Sequence, residues 1–167
     1  IRTLFGEMRP IAGVVEIGHN VVIGYHRQGL DDLSGRISVL ESLLDIRNIG
    51  MGKARNYLAR FLFFGDEVFQ HVASLSGGER NRLALARLII TQPNVLILDE
   101  PTTHLDIPSR EALEQVLMSY PGTILMVSHD RHLVSLLAEA LLVTTKGKVT
   151  FFPGTFEEWT KVQQETE

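Results

Sequence analysis

Two apolar runs in this chain end in residues that could do chemistry. Residues 95–98 lead directly into Asp99-Glu100, and residues 123–128 lead directly into His129. Adjacent carboxylates at the end of a buried strand must bind a cation, find a proton or pair with a base, because an uncompensated buried charge is too costly. If a right-handed crossover joins the two runs in one parallel sheet, both ends fall on the same edge. Ligands of open parallel sheets bind beyond the carboxyl ends of the strands. Two carboxylates and an imidazole on that rim favour a catalytic or metal–phosphate site over a set of mutually satisfied polar groups.

A second constellation is Leu75-Ser76-Gly77-Gly78-Glu79, placed just before a helical pattern that runs to about residue 90. Consecutive glycines let a backbone approach an anion, and a helix N-terminus offers free N–H groups and the positive end of its dipole. Ser76 adds a hydroxyl. Gly77-Gly78 alone would mean only a turn that starts a helix. The whole five-residue string arises by chance on the order of once in a million positions at average composition.

These groups need elements to hold them. Residues 14–17 and 21–25 are β-type runs on either side of Gly18-His19-Asn20, which predicts a hairpin. From residue 37 to about 64 the pattern is helical, with a break at the glycines of residues 48–52. Ala54, Tyr57, Leu58, Phe61 and Leu62 fall on one face of the second helix and read as core. Continuous apolar runs at 95–98 and 123–128 predict strands buried on both faces of a parallel sheet. Helices are expected at about 108–119 and 131–140, then a β pair (141–145, 149–152) and a short helix near 156–163. This alternation means an α/β fold with a parallel sheet.

Composition sets the limits. The 167 residues are 44% hydrophobic and 22% charged, which suits one compact domain. No apolar run is long enough to span a bilayer. The absence of cysteine excludes disulfides and thiolate metal sites. A net charge of −4 argues against nucleic-acid binding over the whole surface. His19, His26, His71, His104 and His132 show no metal-ligand spacing, and His19, His26, His71 and His132 are expected at the surface or at polar edges.

Leu75-Ser76-Gly77-Gly78-Glu79, Leu98-Asp99-Glu100-Pro101, Leu105-Asp106 and Ser128-His129-Asp130, in this order and spacing, resemble an ABC ATPase over nearly the whole chain. The resemblance implies a P-loop NTPase domain of ABC type: a parallel core sheet, a small helical subdomain at about 30–78, and a short antiparallel β part. It implies ATP and Mg²⁺ as ligands. Asp99 would hold Mg²⁺ through water, with Gln28 sensing metal and nucleophile. Glu100 would be the general base, and His129 would contact the γ-phosphate. Asp106 would belong to the D-loop. Ser76, Gly77 and Gly78, with Glu79 in the same motif, would meet ATP held by an opposite ABC domain. That places the glycine turn on the helical part, away from the strand ends.

Thr103-His104-Leu105-Asp106 and Val127-Ser128-His129-Asp130-Arg131 are similar to ABC-F proteins, cytoplasmic ATPases with two ABC domains in one chain and mostly ribosomal roles. Thr103 departs from the Asn usual there. A transporter's ATP-binding subunit is the alternative reading, and a non-catalytic remnant is a third. Ile1, Leu4 and Phe5 lie at helical spacing, and Gly6 with Pro10 reads as a helix end. The chain is therefore expected to be a piece of a longer polypeptide that starts partway down a helix. No Gly-rich loop with Lys-Ser/Thr occurs in it, so the piece alone is expected to be inactive.

Overall fold

The computed structural model describes residues 3, 6–27, 35–145 and 147–165. Gln28, Ile1, Leu4 and Phe5 lie outside the described residues, and with them the expected N-terminal helix.

Three parallel strands carry the site: β1 (Ile23–His26), β2 (Val95–Asp99) and β3 (Thr123–Val127), side by side in that order. β2 is in the middle, which explains its unbroken apolar sequence; Leu96, Ile97 and Leu98 are all buried. Asn94 aligns the strand starts. Its Oδ1 accepts from the Val22 N–H at 2.8 Å, and its Nδ2 donates to the Asn20 carbonyl at 2.6 Å.

The expected hairpin does not form. Residues 14–17 make no strand, and Val14, Val15 and Ile17 are exposed. Only the turn is kept, as Val21 N–H donates to the Gly18 carbonyl. β1 instead pairs in parallel with β2, a choice local alternation cannot reveal. β3 also departs from expectation. It pairs with β2 alone among the described strands, its middle residues are only half-buried, and Val127 is 44% exposed.

Between β1 and β2 the chain is helical: α1 (Val39–Leu44), α2 (Met51–Ala59), two 3₁₀ turns (Gly65–Phe69, Val72–Ser74) and α3 (Gly77–Ile90). Ser38 and Glu41 cap α1 reciprocally. α2 stops at Ala59, a turn before the sequence pattern ends, and Leu62 takes φ 60° just beyond it. Phe61 is nonetheless buried with Ala54 and Leu58, so the stripe packs as expected although its last part is not helix. The Tyr57 hydroxyl donates to the Ala86 carbonyl of α3 at 2.9 Å, and burial raises its pKa. One core cluster runs from Leu43 and Leu58 through Leu83 and Leu85 to Leu96, Leu98 and Leu133.

α4 (Ile107–Met118) joins β2 to β3, and α5 (Arg131–Leu137) follows β3. The tail is the antiparallel pair β4 (Leu141–Thr145) and β5 (Lys148–Phe152), then α6 (Phe156–Gln164), capped by Thr155 and Glu158. His26, expected at the surface or at a polar edge, is buried on β1 opposite Leu98.

Candidate functional site

The ends of β2 and β3 meet as the sequence predicts. Asp99 is the last residue of β2 and stands in register with Val127, two residues before His129. Glu100 follows at φ 50°, a left-handed conformation that costs a non-glycine residue roughly 1–3 kcal/mol. The surrounding bonds hold it there. Its N–H donates to the Val127 carbonyl at 2.9 Å, and its carbonyl accepts from Thr103 N–H at 3.2 Å.

The Glu100 side chain is only 19% exposed, whereas that of His129 is 98% exposed. Glu100 Oε2 accepts from the His129 backbone N–H at 3.3 Å. Among the described residues Oε1 is buried without a hydrogen-bond partner, with His129 Nε2 3.7 Å from it. A buried carboxylate oxygen without a hydrogen bond calls for an explanation, and a water or a ligand donor would supply one. His129 therefore holds the carboxylate through its backbone while its ring remains in solvent.

The Leu75–Glu79 string forms the entry to α3. Ser76 is its N-cap: Oγ accepts from Glu79 N–H at 3.3 Å, and Glu79 Oε2 accepts from Ser76 N–H at 2.7 Å. Hydrogen bonding of the carboxylate to the Ser76 side chain first, and to the Ser76 N–H second, lowers the Glu79 pKa, with a smaller contribution from the charge of Arg82. The Glu79 carboxylate is thus turned back on the cap. Gly77 has open space where a Cβ would stand, while a Cβ on Gly78 would come 3.1 Å from the His104 carbonyl. Asp106 is the N-cap of α4, with Oδ1 accepting from Ser109 N–H at 3.0 Å; hydrogen bonding to the Ser109 side chain first, and to its N–H second, lowers the Asp106 pKa.

The sequence reading missed what joins these parts. Asn81 Nδ2 donates to the Pro101 carbonyl at 3.1 Å, tying α3 to the loop right after Glu100. Arg82 Nη1 donates to Ser109 Oγ. Arg110 Nε donates to the Leu105 carbonyl at 3.2 Å, and its Nη1 is 3.9 Å from Asp130, the N-cap of α5. The polar residues at 80–82, directly behind the glycine turn, were the only signal of this. Of the predicted site residues, the fold gathers Asp99, Glu100 and His129 at one rim and Ser76, Gly77, Gly78, Glu79 and Asp106 around the α3 and α4 starts.

A family profile described as ABC transporter matches residues 1–103, and the chain belongs to that family. Its similar relatives are ATP-binding proteins of ABC-F type, in line with the wording of residues 103–106 and 127–131. YdiF of Bacillus subtilis is 40% identical over 166 residues, covering 99% of this chain and 26% of that one. The energy-dependent translational throttle protein EttA of Haemophilus influenzae is 40% identical over 169 residues, covering 96% of this chain and 30% of that one. The chain thus spans less than a third of the length of either. Among solved structures, the archaeal ribosome recycling factor aABCE1, in complex with the stalk protein aP1, superposes with a TM-score of 0.75. Its 24% identity, over 99% of this chain and 33% of that one, makes this a likeness of fold alone. An inward-facing ABC transporter assigned to the metal-chelate type gives a TM-score of 0.71 at 26% identity, over 94% of this chain and 66% of that one. Among the described residues no helix is long and apolar enough to cross a membrane.

Proposed function

We propose that this chain is one ABC domain, residues 1–167, of a longer ABC-F-type protein, with residues at about 30–78 as its helical subdomain. It binds and hydrolyses ATP together with a second ABC domain of the same polypeptide, in the cytoplasm and on the ribosome. The observation that carries this reading is the Glu100 carboxylate, with one oxygen held by the His129 N–H and the other buried and unmatched. That is the posture of a general base awaiting a water. Water oxygen would attack the γ-phosphorus as the bond to the β-bridging oxygen breaks, and its proton would pass to Glu100.

Asp99 would hold Mg²⁺ at the end of β2, with Gln28 as the further candidate ligand. Mg²⁺ takes one or two carboxylates and completes its shell with water and substrate phosphates. When bound, the ion neutralises phosphate charge. His129, whose exposed ring has Nε2 3.7 Å from Glu100 Oε1, would contact the γ-phosphate. Ser76, Gly77 and Gly78 would face the nucleotide of the partner domain, and Asp106 would lie at the boundary between them.

In the complete polypeptide, Glu100→Gln should retain ATP and lower turnover by roughly 10²–10⁴-fold. Unchanged hydrolysis with ATP still bound would remove Glu100 from the role of base. This chain alone contains no Gly-rich loop with Lys, which supplies the amide nest and cation for the phosphates. Calorimetry of the 167 residues with Mg-ATP should therefore show no saturable micromolar binding; a tight one-to-one isotherm would refute that. A transporter's ATP-binding subunit is the second reading, supported by the 26% identity to a transporter chain.

A further inference from the structure

The glycine turn and the Asp106 loop are cross-braced by a single side chain. Arg82 stands on α3 one turn after Glu79. Its Nη1 donates to Ser109 Oγ on α4, and its guanidinium lies over the Phe63 ring at 5.5 Å from the centroid. Phe63 and Ser109 are both buried, and Arg82 Nε is buried as well. Ser109 is engaged on both sides, for its own N–H donates to Asp106 Oδ1. A continuous chain of contacts therefore runs from the helical insert (Phe63) through α3 (Arg82) to the cap of α4 (Ser109, Asp106). Two lesser contacts run parallel to it: Asn81 to the Pro101 carbonyl, and Gly78 against the His104 carbonyl.

We infer that Arg82 is a positioning residue that fixes residues 76–78 relative to the Asp106 loop, so that the two move as one body. The inference rests on the two-domain reading above, in which residues 76–78 serve the partner's nucleotide and Glu100 serves this domain's own. Arginine suits the task. Its planar fork can lie on an aromatic ring and donate sideways at once, whereas lysine offers one ammonium on a flexible stem. The nearby Glu79 and Asp106 carboxylates both feel its positive charge, so it bridges the two caps electrostatically as well. A turn displaced by even a fraction of an ångström would meet the γ-phosphate badly, and such misplacement costs rate more than affinity.

The test uses the complete polypeptide, made competent at one nucleotide site at a time. Arg82→Lys, Ser109→Ala and the double variant are compared for kcat and KM with Mg-ATP, alongside their thermal midpoints. Each single variant should lower kcat about 10-fold or more at the site served by Ser76. The double variant should lower it no further, because one contact has been removed twice. KM at the site served by Glu100 should stay within about twofold. Unchanged kcat in both single variants, where Ser76→Glu silences the same site, would overturn the inference. So would multiplicative losses in the double variant, or equal losses at both sites that follow the thermal midpoint. If Ser76→Glu and Glu100→Gln silence one and the same site, the two-domain reading itself falls and takes this inference with it.

Discussion

The rim at the ends of β2 and β3 and the turn that opens α3 solve opposite problems. At the turn every local demand is met from within: Ser76 and Glu79 cap one another, and the backbone is regular from the first residue of the helix. At the rim Glu100 sits at φ 50° with a buried oxygen unmatched. Among the described residues four non-glycine positions have positive φ, and they divide the same way. Leu62 and Gln92 lie just past the ends of α2 and α3, where a left-handed residue commonly closes a helix. Glu100 and His104 lie in the loop between β2 and α4, where no helix ends. Strain at the first pair has a local cause; at the second it is imposed by the bonds that aim Glu100. A surface that recognises a phosphate can be preorganised at no cost, but a group that must receive a proton has to be left wanting one.

The sharpest way to break this comparison is to make the turn and the rim fail separately. Ser76→Glu would set a carboxylate against a γ-phosphate, and in single-site forms of the complete protein it should abolish hydrolysis at the nucleotide held by the partner domain. Glu100→Gln should spare that site and silence the one in this domain. Loss at the same site from both changes would mean that turn and rim face one nucleotide.

A smaller effect tests whether the sheet beneath the rim tolerates change. A Cβ on Gly24 would lie 2.7 Å from Pro93 Cγ and 3.2 Å from Leu88 Cδ1. Gly24→Ala should cost about 1–3 kcal/mol in denaturant unfolding, the usual penalty of overpacking. A neutral result would show that β1 can shift against α3, and the rim would then be less firmly held than its bonds suggest.

The smallest effect belongs to acid. Glu79 and Asp106 have pKa values lowered from 4.5 and 3.8 by their cap hydrogen bonds. A carboxyl lowered in the folded state stabilises it fully above the unfolded value, and that stabilisation is lost as pH falls through the folded value. Unfolding midpoints should therefore decline below about pH 4.5, and less steeply in Glu79→Gln and Asp106→Asn, whose amide oxygens keep the caps. An identical decline in both variants would mean that the caps do not contribute to the acid response.

What could be read in the sequence was whatever depends on neighbours along the chain. The α3 entry was legible because two glycines stand directly before a helical pattern; the reciprocal cap of Ser76 and Glu79 was seen only in the structure. The β2 and β3 ends were legible because an apolar run stops at a charge. The hairpin at residues 14–25 was misread since alternation marks a strand without naming its partner, and β1 chose β2 across the whole helical insert. The burial of β3 was overestimated for the same reason: an apolar run announces a capacity to be covered, and Val127 is left 44% exposed by the described residues. Arg82 and Asn81 passed unremarked because polar residues on a helix are ordinarily solvated. Only the positions of Phe63, Ser109 and Pro101 in space give them their work.

The long reach of β1 also has a consequence in time. Val22 and Asn94, whose hydrogen bond starts the β1–β2 ladder, are 72 positions apart. At a synthesis rate of about 5–20 residues per second, β1 waits roughly 4–14 s for its partner to emerge. Meanwhile α1, α2 and α3 can form from local contacts alone. Once folded, they shorten the loop whose closure the strand pair must bring about. Among the described strands β1 pairs with β2 alone, so its place in this sheet depends on a partner that lies beyond the whole helical insert.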